Sequence, residues 1–274
     1  MSEKEIKANA AKPRKCPLYK LEFIQSYKSL IIWTIVCIVL MALYIGLWPA
    51  LQLLSEAAGG AGIEDMGIAF PAYLLAQLGS GWVFIGVLYG SVLGCSLVNS
   101  NFRNGSLAML YTQNFTRNRI LSIKFLRGLE NLVIFNIISA FAILAIVYII
   151  GQSVYIGNFF IATLFATLAS LISFILVFGI AALIPKKIKV LYVVIISLVL
   201  YLIVSFSALG AMNIDGFGWL AWFSPIGLFT DPVNYNVLLD GFLGINYIML
   251  SVWAGLAVAA IVPGFLLFKK HDLV

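Results

Sequence analysis

Charge is what this sequence has least of. Only 10% of its 274 residues are Asp, Glu, Lys or Arg, whereas 62% are hydrophobic and the mean hydropathy is +1.05. A soluble domain is nearer a quarter charged, so the composition indicates an integral membrane protein. Histidine is almost missing: the one copy is His271, close to the end of the chain. That excludes a histidine-based metal centre or catalytic triad. The three cysteines, Cys16, Cys37 and Cys95, have no ligand spacing, and two of them lie in apolar runs. They read as small buried hydrophobes. HExxH, GxSxG and the Walker-type GxxxxGK(S/T) do not occur, so no enzymatic activity, catalytic residue, cofactor or metal is expected of this chain. Nor is a nucleic-acid partner. A selectivity-filter motif is missing too. Strand-type alternation over short segments is absent, which argues against a transmembrane barrel.

Long apolar runs are what the chain does have, and a helix needs about 20 such residues to cross the hydrocarbon. Six spans are expected, at about 30–48 (closed by Pro49), 79–98, 125–150, 158–184 (ending at Pro185), 190–209 and 245–268. Residues 1–17 read as a cytoplasmic tail and 269–274 as another, so 30–268 forms one six-span domain. Between tail and first span, residues 18–29 have the pattern of an interfacial helix. Glu22, Gln25, Ser26 and Ser29 make one polar stripe, opposite Tyr19, Leu21, Phe23, Ile24 and Tyr27, with Lys20 and Lys28 placed to snorkel. The alternative is a plain extension of the first span.

Positive charge is distributed on one side only. With the N-terminus inside, segments 1–29, 99–130, 185–189 and 269–274 hold seven, five, three and two basic residues, which is all 17 Lys and Arg. The external segments hold none, but carry Glu56, Glu64, Asp65, Asp215, Asp231 and Asp240. Basic residues resist translocation, so this asymmetry places both termini in the cytoplasm. It also sets aside the glycosylation-like triplets at Asn104 and Asn114, which fall on the inner side. Outside, residues 210–244 contain GFGWLAWFSPIGLFTDP, too apolar for a solvated loop and too broken by Gly and Pro for a span. Trp219, Trp222, Ser224 and Pro225 are expected on short helices dipping into the outer interface, with an ordinary packed loop as the alternative.

Ion-coupled transporters place an ionisable group inside the membrane, and the six expected cores contain none. Glu130 comes nearest, just inside the third span, with Arg127 or a basic loop residue as its expected partner. Energy for any transport would therefore come from another protein. Gly86, Gly90 and Gly94 form two successive GxxxG steps in the second span, a face for close helix packing either within the bundle or between protomers.

The polar, basic stretch 99–124 is where a partner could act. Leu107, Leu110 and Tyr111 make a short apolar face, and Thr116 is placed to cap the helix carrying Arg117, Arg119 and Lys124 into the third span. Such a segment suits docking into a groove on a cytosolic protein; the alternative is an ordinary positive-inside loop.

The chain resembles the permease subunits of bacterial ABC transporters of the type-2 exporter class. The matching residues are Gly105-Ser106, Leu107, Leu110, Thr116-Arg117 and Lys124 in the first cytoplasmic loop, Phe223-Ser224-Pro225 before the last span, and the Phe268-Lys269-Lys270-His271-Asp272 ending. Asn101 stands where that family usually has an acid, and Asn114 where it has proline. The resemblance implies an all-α membrane protein of the bacterial plasma membrane, with an N-terminal interfacial helix, six spans, a cytoplasmic coupling helix and re-entrant external helices. It implies a cytosolic ABC ATPase as partner, ATP and Mg on that partner, and a second copy or a homologous permease completing a dimer in the lipid bilayer. Residues 101–124 would then be the docking surface, with Asn101, Arg103, Gly105, Ser106, Leu107, Leu110, Thr116, Arg117, Arg119 and Lys124 on it. The expected role is export of an amphipathic or hydrophobic substrate such as a peptide, antibiotic or lipid-like molecule. A non-transporting assembly or sensor subunit, and a stand-alone channel or secondary transporter, are the rival readings.

Overall fold

A computed structural model describes residues 17–57, 70–103, 117–184, 189–211, 238 and 247–268. Among these residues the chain is almost entirely helical and no strand occurs. The elements are α1 (Pro17–Ala57), α2 (Phe70–Gln77), a π-helical turn (Leu78–Val83), α3 (Phe84–Arg103), α4 (Arg117–Ile149), α5 (Ile156–Leu183), α6 (Val190–Ala211) and α7 (Tyr247–Phe268). Among the described residues, five segments are long and apolar enough to cross a membrane: Glu22–Leu54, Tyr73–Asn99, Asn118–Ile149, Ile156–Leu183 and Tyr247–Phe268. The protein is thus a helical membrane protein. α6 is a further apolar helix, of 22 residues.

The boundaries differ from expectation in informative ways. The expected interfacial helix 18–29 and first span 30–48 are one helix of 41 residues, unbroken at Pro49. At 1.5 Å per residue it is roughly 60 Å long, about twice the hydrocarbon thickness. Proline removes one backbone donor, and transmembrane helices tolerate that where neighbours supply partners. Here the buried Trp48 packs on Phe70 and Tyr73, with ring centroids 5.4 and 4.9 Å apart. The Tyr73 hydroxyl donates to the Tyr44 carbonyl at 2.5 Å, one residue before the carbonyl that Pro49 leaves unbonded. Tertiary contacts with α2 therefore hold the turn that proline would loosen.

The second span is longer than the expected 79–98. The π turn joins α2 to α3, so helical backbone runs from Phe70 to Arg103. Single π turns absorb an extra residue inside such helices. Gly81 lies in this turn, and a Cβ there would come within 2.6 Å of the Met41 Sδ on α1. The helix of the third span begins at Arg117, so the basic residues 117–124 are carried on it into the span, and the helix of the fourth begins at Ile156.

The core centres on α3 and α5. Of the five candidate spans, the one containing α3 is the most buried and α7 the least. Gly86, Gly90 and Gly94 face α5 of the same chain. A Cβ at Gly86 would collide with the Ser170 Oγ, one at Gly90 would lie 2.6 Å from the Ser170 carbonyl oxygen, and one at Gly94 would lie 2.8 Å from that of Phe174. Backbone approach this close needs glycine on one side. The same device recurs where α5 meets α7: a Cβ at Gly264 would sit 2.8 Å from the Gly179 carbonyl oxygen. Phe125 of α4 then joins Phe174, Phe178 and Phe265 at centroid distances of 5.7, 5.4 and 6.0 Å, tying α4, α5 and α7 together.

Candidate functional site

The candidate docking stretch lies between the end of α3 and the start of α4. Asn101 and Arg103 stand on the last turn of α3, and Arg117 is the first residue of α4. Gly105, Ser106, Leu107, Leu110, Tyr111, Asn114 and Thr116 lie outside the described residues, as do Trp219, Trp222, Ser224 and Pro225 of the external segment. Arg119 is exposed on the first turn of α4.

Lys124 differs from expectation. It is buried, and its Nζ lies 2.8 Å from the Glu22 Oε1 of α1, itself buried. A lysine so enclosed cannot serve as a docking contact on the surface. Its role is internal: it neutralises the one acidic residue in the first three turns of α1. A charge removed from water must find a partner, and each of these two supplies the other's.

One turn further along α4, Arg127, the last basic residue of the expected cytoplasmic segment 99–130, is fully buried. Its guanidinium carbon lies 4.2 Å from the Phe23 ring centroid and 5.8 Å from that of Tyr19. Planar, weakly hydrated guanidinium groups favour such stacking. Nη1 pairs with the Glu130 Oε2 at 2.5 Å, and Nε donates to the Ser26 Oγ at 3.4 Å. The Tyr19 hydroxyl also donates to Glu130. This hydrogen bond, aided by burial, holds the Tyr19 phenol above its ordinary pKa. Of the partners expected for Glu130, Arg127 or a basic loop residue, it is Arg127 that pairs with it.

Together, Tyr19, Glu22, Phe23 and Ser26 of α1 clasp Lys124, Arg127 and Glu130 of α4. The clasp fixes how the N-terminal segment faces. Glu22 and Ser26 of its polar stripe point inward to α4, whereas Lys20, Ile24 and Lys28, on the opposite arc, are on the outside. Partners decide this: Glu22 and Ser26 meet two cations on α4 that a reading of 18–29 alone could not see. The available signal was that Glu22 is an isolated acid in a basic segment.

Deeper along α4 the seam stays polar. Asn136 donates to the Leu132 carbonyl at 2.9 Å and approaches the Ser170 Oγ at 3.5 Å. Asn131 is fully buried, and among the described residues neither amide atom has a hydrogen-bond partner. Among the described residues no group of three or more His, Cys, Asp or Glu is placed to hold a metal. No protein-family model matches the chain, and no curated protein matches it.

Proposed function

We propose that this chain is the permease subunit of an ATP-driven ABC exporter in a bacterial plasma membrane, coupled to a separate cytosolic ATPase through residues 99–124. The observation that carries the reading is the continuity of α4. It runs as one helix from Arg117 to Ile149, so the last part of the candidate docking stretch, residues 117–124, and a membrane span are parts of a single rod. At roughly 50 Å, that rod exceeds the hydrocarbon thickness and leaves its basic first turns outside it. The clasp to α1 joins those turns to a second span-length helix. A push on the loop is then delivered to two spans at once.

Sidedness supports the same reading. The one-sided distribution of all 17 Lys and Arg puts the loop and both termini in the cytoplasm, with α6 as the sixth span. ATP and Mg belong to the partner, and a second permease completes the path. The cargo is amphipathic or hydrophobic, in keeping with a bundle whose only buried charges among the described residues are paired near one end of α4.

Arg117 and Arg119 are the contacts to test, because Lys124 is enclosed. Arg117→Glu combined with Arg119→Glu is expected to release the ATPase on co-purification while leaving membrane insertion intact. An ATPase that stays bound and active on the double variant refutes the docking assignment. A channel, secondary transporter or assembly subunit would bring down no ATPase even as the wild-type chain.

A further inference from the structure

The outward face of the first turns of α1 is built for a different contact. Lys20, Ile24 and Lys28 follow one another at i, i+4 and i+8, which places them on one side of the helix. Phe23 is 45% exposed, Ile24 55% and Ile31 49%, with both lysines exposed among them. Among the described residues neither lysine has an acidic partner. Among the described residues, the acids that meet this part of α1 are already neutralised, Glu22 by Lys124 and Glu130 by Arg127. What faces outward is therefore apolar surface carrying uncompensated positive charge.

Two observations say what covers it. First, the face is continuous along an unbroken helix with the exposed stripe Ile32, Ile35, Val36, Val39 and Leu43 of the membrane-crossing part. Second, five more basic residues, Lys4, Lys7, Lys12, Arg14 and Lys15, precede the helix in sequence. Aromatic and aliphatic side chains at the acyl boundary, with lysines reaching to headgroup level, are the physical requirements for an anionic bilayer surface. We propose that this face of α1 binds anionic lipid headgroups of the inner leaflet, and that the clasp to α4 fixes its orientation toward them. The inference rests on membrane insertion and on the cytoplasmic placement of the N-terminus, and not on any ATPase partner, so its failure would leave the docking reading untouched.

The test uses the full chain in nanodiscs of phosphatidylcholine with and without phosphatidylglycerol. Bound lipid is counted by native mass spectrometry, and thermal unfolding is followed in both compositions. Wild-type protein is expected to retain phosphatidylglycerol preferentially and to unfold at higher temperature in its presence. Lys20→Gln with Lys28→Gln should lower the apparent affinity for that lipid by about 30-fold at low salt, roughly fivefold per lysine. Lys20→Arg with Lys28→Arg should keep it, and Lys186→Gln with Lys187→Gln should leave it unchanged. An undiminished preference in the Lys20/Lys28 glutamine variant, or an equal loss in the Lys186/Lys187 variant, overturns the proposal. A photoreactive residue substituted at Ile24 should form adducts with lipid; an adduct with protein instead would equally overturn it.

Discussion

At the scale of single residues, two buried polar positions, one on α1 and one on α4, make opposite predictions. Glu22 is the counter-charge to an enclosed lysine, so Glu22→Gln leaves Lys124 buried without its partner. Breaking one member of a buried pair costs about 3–5 kcal/mol. Thermal unfolding in detergent should show a clear loss, and Glu22→Gln combined with Lys124→Met should recover much of it. Asn131 is the reverse case, a buried amide that meets no partner among the described residues. Replacing such a group with an apolar side chain of similar size removes a desolvation cost of about 1–3 kcal/mol, so Asn131→Leu should raise the unfolding temperature. A fall would mean that the amide is satisfied in the assembled protein. Tyr19 adds a pH signature. Its phenol is the donor to Glu130 and its pKa is raised on folding, so the stabilisation is present below the ordinary phenol pKa and lost as pH rises through the folded value. The difference in stability between wild type and Tyr19→Phe should be flat from about pH 6 to about pH 9 and shrink in stronger alkali.

At the scale of helices, glycine sets how closely the bundle packs. The α3–α5 contact is made at Gly90 and Gly94 against carbonyl oxygens of α5, which cannot move aside as a flexible side chain would. Gly90→Ala should therefore cost about 1–3 kcal/mol, measured by thermal unfolding, with Gly90→Leu worse. Gly46 and Gly255, which a Cβ would leave without a neighbour within 4 Å, should tolerate alanine far better. The GxxxG pattern of α3 was legible in the sequence because its glycines recur at a fixed interval. The α5–α7 crossing at Gly179 and Gly264 was not, because one glycine comes from each helix and no spacing connects them. The existence of the helices was legible for a similar reason: apolar runs of span length announce themselves. Their ends were not. Pro49 was taken as a stop, and a contact between Tyr73 and Tyr44 that lies 29 residues apart in sequence helps carry the helix through it. The amphipathic pattern of the N-terminal segment was legible, but not what its polar stripe meets, since the cations that attract Glu22 and Ser26 stand about 100 residues away.

At the scale of the whole molecule, the same clasp links the two ends of the argument. It buries charges that would otherwise sit on the surface, and in doing so removes Lys124 from the candidate docking residues while leaving Arg119 exposed on the turn before it. It also joins α1 and α4 at the end of the bundle where the basic stretch lies, so movement there would reach both helices. The fold is that of a helical membrane protein whose α3 and α5 form the core and whose α1 and α7 present long apolar faces outward. The central functional claim is that this bundle is driven from outside itself, by an ATPase seated on residues 99–124. The most direct measurement is purification of the full chain from its native membrane in mild detergent, with nucleotide hydrolysis followed across the eluted fractions. The account predicts that an ATP-hydrolysing subunit co-elutes with the chain and that the Arg117→Glu, Arg119→Glu variant elutes without it. A wild-type chain that elutes with no ATPase, from membranes in which it is inserted and folded, would contradict it.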